Sequence, residues 1–293
     1  MIVSASYRTD IPAFYGDWFM KRLAAGRCLV TNPYGGPRYE VSLTVDDVDG
    51  FVFWTRNPAP FLPHLERIRD LGYPFVIQFT VLGYPAAVDR SVPLADIQIE
   101  TFRRLARIYG PGALVWRYDP VLFSSLTPSA FHQDNFAGLC RKLAGLTDEA
   151  VISFVNPYRK SRRNLDAASR KYGFNWWEAS ASEATDLVGE FGRIAAADGM
   201  EATICSQPDF LVPSVRAARC IDVERLSRVA GFDIESRQKG NRPGCLCHES
   251  RDIGAYDTCP HGCAYCYAVS DRGQAVKRFT RSDSDAEVLG TPI

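Results

Sequence analysis

Six short apolar runs punctuate the first two-thirds of the chain: residues 2–6 (IVSAS), 50–57 (GFVFWTRN), 74–81 (PFVIQFTV), 113–120 (ALVWRYDP), 150–157 (AVISFVNP) and 201–208 (EATICSQP). Each is rich in Val, Ile or Phe and too short for an amphipathic helix, which predicts strands of a parallel sheet buried on both faces. Between them apolar positions recur three and four apart. In 182–197, Ala184, Leu187, Val188, Phe191, Ile194 and Ala195 form one stripe, with Ser182 as N-cap and Gly199 as stop. Further helices are predicted over 13–25, 59–71, 94–109, 128–143 and 214–229. About six strand-helix units, without a Gly-rich dinucleotide fingerprint after the first, predict an α/β fold: a full or partial (β/α) TIM-like barrel over 1–231. Residues 26–43 add a hairpin around a Gly-Gly turn.

The rhythm stops near Gly231. Residues 232–293 carry Gly, Pro and Cys without periodicity, which predicts an irregular Cys-rich segment that folds over the barrel mouth as part of one domain. The polar text after Lys277 predicts a loosely tied tail.

Charge adds little, because 34 basic residues balance 34 acidic ones. Nucleic acid is not favoured as a partner. The start lacks a cationic, apolar leader and no stretch is long and apolar enough to span a membrane, so a soluble, cytoplasmic protein is expected. In that compartment nine cysteines suggest metal ligands over disulfides. Cys28 and Cys140 sit in apolar text and predict small buried side chains. The other seven, Cys205, Cys220, Cys245, Cys247, Cys259, Cys263 and Cys266, fall in the last ninety residues.

Polar residues gather where the predicted strands end. In parallel barrels these ends form the active site. Arg8, Asp10, Arg56, Arg117, Asp119 and Asn156 are the candidates for ligand binding, arginines for carboxylate or phosphate and aspartates for hydroxyls or amines. The same positions also suit turns and helix caps.

The sequence CPHGCAYCYA (259–268) delivers three thiolates from one tight loop, with Gly262 allowing the bend. Three soft ligands can hold three irons of a [4Fe-4S] cube and leave the fourth open, whereas structural zinc takes four. The spacing C-x3-C-x2-C, with Tyr265 before the last cysteine, resembles the signature of radical S-adenosylmethionine (SAM) enzymes, and AYCYA is similar to the spore photoproduct lyase branch. From SASYRTDIP to CLCHESRDIGAYDTCPHGCAYCYA, nearly the whole chain also looks like the DUF1848 family of bacterial proteins of unknown function. The radical SAM resemblance implies a [4Fe-4S] cluster on Cys259, Cys263 and Cys266, SAM on its open iron, and Tyr265 beside the adenine. It implies reductive cleavage of SAM, an electron donor of the flavodoxin or ferredoxin type, and a small-molecule or nucleotide substrate. Members of that family carry the loop after their first strand, near the N-terminus. Here it comes last, as in a circular permutation, and Thr55-Arg56-Asn57 stands where a Gly-Gly-Glu is common.

Cys245 and Cys247 need partners, either the main cysteine loop or Cys205 and Cys220. With the latter, the four would make an auxiliary [4Fe-4S] cluster or a zinc site, or they stay unligated thiols or a redox pair. His248 and His261 flank the two knots, as metal ligands, proton donors or bystanders. His64 and His132 read as helix-surface residues. The basic run KSRRN (160–164) reads as a phosphate grip or a solvated helix face. An electron-transfer protein without SAM chemistry and a zinc-stabilised barrel hydrolase or binding module stay open as alternatives.

Overall fold

A computed structural model describes residues 1–33 and 35–291. Its strands, in chain order, are β1 (Ile2–Ala5), β2 (Arg27–Val30), β3 (Tyr39–Ser42), β4 (Gly50–Thr55), β5 (Phe75–Thr80), β6 (Leu114–Val121), β7 (Phe123–Ser124), β8 (Glu149–Phe154), β9 (Trp176–Trp177), β10 (Glu201–Ile204), β11 (Arg216–Ala217) and β12 (Ser250–Asp252). The helices are α1 (Ile11–Phe14), α2 (Gly16–Ala24), α3 (Leu62–Asp70), α4 (Ala95–Tyr109), α5 (Ser129–Leu143), α6 (Arg159–Tyr172), α7 (Ala181–Ala197), α8 (Val223–Ala230) and α9 (Arg272–Thr280). Eight strands form one parallel sheet in the order β11-β10-β8-β6-β5-β4-β1-β12, surrounded by helices.

All six predicted strands are present, and the predicted hairpin is the antiparallel β2–β3 pair; Tyr34 in its turn lies outside the described residues. The helix boundaries need correction. In 214–229 only α8 is helical, because the Asp222 carboxylate accepts the Glu224 N–H and starts the helix there, while Arg216–Ala217 pairs with β10. Ser180, not Ser182, caps α7: its hydroxyl accepts the Glu183 N–H and the Glu183 carboxylate accepts the Ser180 N–H.

Because successive strand residues point to opposite faces, the sheet has two environments. Val3, Phe51, Phe53, Phe75, Ile77, Phe79, Leu114, Trp116, Tyr118, Ala150 and Ile152 face the helices in the main core. Phe19 meets Phe51, Phe53 and Phe61 there edge-on, and Phe53 meets Phe61 likewise, at 5.1–5.7 Å, a geometry worth about 1 kcal/mol per pair beyond area burial. The opposite face is divided along its length. Its base, Ile2, Val52, Val76, Val115 and Val151, packs with Ile221, Leu226 and Ile234. Two residues further along each strand stand Ser4, Trp54, Gln78, Arg117 and Ser153. The base anchors the sheet, and the level above it carries polar side chains.

The tail is not loose. Trp18 Nε1 donates to the Ala286 carbonyl at 2.8 Å, the Leu29 N–H donates to the Glu287 carbonyl at 3.0 Å, and Leu289 is buried in the main core. These contacts need α2 and β2 already in place, which a reading of the tail's own composition does not include. The last two residues lie outside the described set. Cys28 and Cys140 are buried, as expected.

His132 is not on the surface but fully buried. Its Nδ1 lies 3.0 Å from the Tyr118 hydroxyl, and its Nε2 lies 2.9 Å from the Leu122 carbonyl. His64 is partly buried against Phe61. Burial pushes His132 down to about 4, against the pull of backbone hydrogen bonds. Unfolded histidine titrates near 6.5, so the unfolded chain takes up a proton that the fold excludes. Stability from this site is complete above about pH 6.5 and falls by roughly 3 kcal/mol as pH drops to about 4. Urea unfolding at pH 7 and pH 4.5 should show the loss, and His132→Gln should flatten it; an unchanged slope in the variant would assign the acid sensitivity elsewhere.

Candidate functional site

Above the apolar base, the divided face opens into a cavity of about 400 Å³. Arg8, Asp10, Arg56, Arg117, Asp119, Asn156 and Tyr265 line it, together with Cys205, Cys220, Cys245, Cys247, Cys259, Cys263 and Cys266. The structure therefore brings the strand-end candidates and the seven late cysteines to one place, whereas His248 and the basic run 160–164 are not among the lining residues.

The late cysteine loop arrives through β12, which pairs in parallel with β1 in the register Ile2↔Ser250 and Ser4↔Asp252. Asp252 secures this junction. Its buried carboxylate accepts the Ser4 and Ser6 hydroxyls at 2.9 and 2.7 Å and the Tyr7 and Gly254 N–H groups at 3.0 Å each. A Cβ at Gly254 would stand 2.0 Å from Ser6 Oγ, so the crossing admits no side chain. In the loop, Gly262 has φ +80° and a Cβ there would meet Arg272 Cδ at 2.3 Å, which accounts for glycine between the first two cysteines. Cys263 then forms an antiparallel bridge with Asp89, and the Ala264 N–H donates to the Val88 carbonyl at 2.9 Å.

Two sulfur groups share the cavity. Around the first, Arg56 forks onto Asp89 with contacts of 2.8 and 2.6 Å, donates to Cys263 Sγ at 3.0 Å and contacts the Tyr265 hydroxyl. Tyr265 donates its own proton to Asp89 at 2.8 Å. Asp10 accepts the Ala13 and Arg56 N–H groups at 2.9 and 2.7 Å, and its Oδ2 lies 2.8 Å from His261 Nε2. Arg56 and Asp10 were candidates for ligand binding. In the structure they organise the wall, because guanidinium and carboxylate already have partners in the protein. Arg8 is the less committed arginine: its Nε is buried without a hydrogen bond, 3.7 Å from Asp252. Asn156 is exposed at the rim.

The second group is the four-cysteine set. Cys220 donates to Cys205 Sγ at 3.4 Å, and Cys247 Sγ accepts the Ile221 N–H at 3.4 Å. Arg117 donates to Cys220 Sγ and Gln78 Oε1, both at 3.0 Å, and pairs with Asp119. Its guanidinium lies over Trp54 at 4.9 Å. Arg242 reaches Cys205 Sγ at 3.6 Å. Ser153 hydrogen-bonds Asp119, whose carboxyl burial would raise but Arg117 and Ser153 hold below the usual range. Arg117 and Asp119, like Arg56, are thus engaged by the protein itself.

Burial pushes the Cys259 thiol up to about 12 and Cys263 well above its ordinary value. A hydrogen bond from Cys247 brings Cys245 down to about 6. A bound metal inverts this logic by deprotonating its thiols. Among the described residues no three or more His, Cys, Asp or Glu side chains are grouped to hold a single metal ion. A cluster asks for something different, since each thiolate takes its own iron. Three sulfurs on one cavity wall, backed by the Arg56 cation, suit that donor set.

Sequence reasoning missed Asp89, Asp252 and Arg242. Only Arg242, three residues before Cys245, stood near a visible signal. The basic run lies on α6, whose Arg159, Arg162, Arg163, Arg170 and Lys171 are exposed. Arg163 and Asn164 donate to the Ser270 and Val269 carbonyls, so one edge of the helix supports the chain just after the cysteine loop.

The profile of a family described as a domain of unknown function, DUF1848, matches residues 2–268. The chain belongs to this family. The match spans the sheet and both sulfur groups, ending just past Cys266 and before α9. No curated protein matches the sequence. Among solved structures, the chain is similar to a "putative alpha-L-fucosidase" from Bacteroides thetaiotaomicron, at 12% identity and a TM-score of 0.30, covering 87% of this chain and 95% of that one. No helix among the described residues is long and apolar enough to cross a membrane.

Proposed function

We propose that this protein is an iron-sulfur enzyme of radical SAM type, with Cys259, Cys263 and Cys266 holding a [4Fe-4S] cluster and the divided sheet acting as its (β/α) barrel. One observation carries the reading: β12 lies in parallel beside β1, and the cysteine loop follows it directly onto the wall of the cavity at the strand ends. In the fold the loop therefore follows a strand, as in the enzymes it resembles, although it is last in the chain. The barrel reading draws on the two edge strands. β11 and β12 are consecutive, and between them the His248 N–H donates to the Ile221 carbonyl at 3.0 Å, across the seam where a ring would close.

When bound and reduced, such a cluster supplies the electron that breaks a carbon-sulfur bond of SAM. The protein's part is positioning and electrostatics. Arg56 sets a cation and an N–H against the Cys263 sulfur, which favours the thiolate and tunes the cluster's potential. Arg8, which lines the cavity beside Asp252, is the residue proposed to meet an anionic ligand. Trp54, Tyr7 and Tyr267 offer flat surfaces on the same walls. An electron-transfer protein of the flavodoxin or ferredoxin type is the proposed reductant, and the substrate a small molecule or nucleotide.

The test is electron paramagnetic resonance of the anaerobically purified, reduced protein with and without SAM, alongside iron and sulfide analysis. A cluster signal that changes on adding SAM, with release of 5'-deoxyadenosine, is the expected result. An intact cluster indifferent to SAM would transfer the protein to the electron-transfer class.

A further inference from the structure

Two helices flank the chain as it leaves the cysteine loop, and both are basic. Over Arg159–Tyr172 (α6) and Arg272–Thr280 (α9) nine side chains are Arg or Lys and one, Asp166, is acidic. The whole chain carries 34 charges of each sign, so its remainder is net acidic and these helices hold a local excess of positive charge. The structure sets the start of α6 against the last turn of α9. Lys160 Nζ stands over the Tyr256 ring at 5.4 Å, and Arg278 donates to the Tyr256 carbonyl at 3.2 Å. Arg159, Arg163 and Arg170 are spaced by four and seven residues, which places them in one row along α6, and all three are exposed.

The arrangement does not serve the helix itself. α6 has no acidic residue in its first turn, where Arg159 and Lys160 face the positive end of the helix dipole. Arg159 lies three and four residues from Arg162 and Arg163, spacings at which like charges repel across a helix face. Among the described residues the ion pairs made by cations of α6 are Lys160 with Asp257 and Arg162 with Glu178. Neither belongs to the row of Arg159, Arg163 and Arg170, whose charge an external anionic surface would offset.

That row borders the place where the cysteine loop reaches the surface. Arg163 and Asn164 donate to the Ser270 and Val269 carbonyls. The exposed Tyr267, next to Cys266, meets the ring of Tyr158, the residue that precedes α6, at 6.5 Å. We propose that α6, with the last turn of α9, is the docking face for an acidic electron-carrier protein, which delivers its electron beside Tyr267 and Cys266. The reduced carrier loses one electron and the iron-sulfur group proposed on the loop gains it; no bond is made or broken in this step. The electron's destination rests on the iron-sulfur reading above, whereas the charge of the face and its place beside the loop do not. A compact acidic protein suits this distribution of charge better than a nucleic acid, because a long polyanion would run from the two helices onto the net acidic remainder of the chain.

The experiment titrates the full chain with an acidic flavodoxin and compares Arg159→Glu/Arg170→Glu with Arg104→Glu/Arg107→Glu, a pair of exposed arginines on α4 that gives the same change of net charge. Binding to the parent should weaken steeply between about 0.01 M and about 0.15 M ionic strength. The α6 variant should bind on the order of tenfold more weakly than either the parent or the α4 variant. Flavodoxin-driven formation of 5'-deoxyadenosine should fall by the same factor, while formation driven by dithionite, which needs no docking, should not change. If the iron-sulfur reading fails, neither reductant gives product, yet the two variants still differ in binding. If the docking face fails, dithionite gives product and the two variants bind alike, which overturns the proposal. A single-stranded oligonucleotide that binds more tightly than flavodoxin, and is lost in the α6 variant, would also overturn it. Arg159→Gln/Arg170→Gln removes the same cations without adding negative charge and should show a smaller loss in the same direction; parent-like binding there counts against the row.

Discussion

Cys263→Ala should abolish SAM cleavage, a loss on the order of 10³-fold or more, while leaving the fold intact. The reason for the separation lies in how the loop is held. Its position depends on the Asp89 bridge, the Ala264 N–H on Val88, the Ser91 N–H on the His261 carbonyl at 3.0 Å, and the turn at Gly262. None of these uses the Cys263 sulfur. Arg56, which loses a sulfur acceptor, keeps its fork on Asp89. Removing one small side chain at the cavity wall should therefore cost no more than about 1–2 kcal/mol. Activity should be measured as 5'-deoxyadenosine formed under dithionite, and stability by thermal melting of the same preparation. Wild-type levels of product would eliminate the loop as the site of SAM cleavage. Arg56→Gln supplies a graded comparison: the sulfur and the loop remain, the cation beside them is removed, and the SAM-sensitive signal should move to lower potential.

The divided face explains what was legible in the sequence. Strands β4, β5, β6 and β8 bury both faces, and continuous Val, Ile and Phe record that directly. The three-cysteine loop was legible because its cysteines lie within eight consecutive residues. Strand β12 was not, for it is Ser-Arg-Asp, polar throughout, and its pairing comes from Asp252 receiving hydrogen bonds from the first seven residues. Asp89 was invisible for a related reason: its partners Arg56, Cys263 and Tyr265 are distant in sequence and meet only in the fold. The strand-end arginines were found by position, but position did not reveal their partners. Arg56 and Arg117 read as free cations for a ligand, and each proves to be forked to an aspartate and directed at a sulfur.

If Asp252 is the clasp that sets the cysteine loop against the first strand, its removal should cost both stability and iron. Asp252→Ala leaves the Ser4 and Ser6 hydroxyls, the Tyr7 and Gly254 N–H groups and the Arg8 guanidinium facing a cavity with no acceptor. Ser4, Ser6 and Arg8 are 0, 2 and 9% exposed, so water cannot readily replace the carboxylate. Losing one partner of a buried, charged network costs about 3–5 kcal/mol, and for a chain of this size that lowers the melting temperature on the order of 10 °C. Asp252→Asn, which keeps the shape and one acceptor, should fall between parent and alanine variant. Glu249 gives the contrast three residues earlier. It pairs with Arg237 and Lys239 in solvent, where ion pairs contribute little, so Glu249→Gln should leave the melting temperature unchanged. Thermal melts and iron analysis on the three variants form the measurement. With β12 released, the chain leading to Cys259 is no longer fixed beside β1, and iron on the loop should fall with stability. An alanine variant that melts with the parent and keeps its iron would show that the loop is held by its own contacts with Asp89 and Val88, and that β12 is a passenger on the sheet edge.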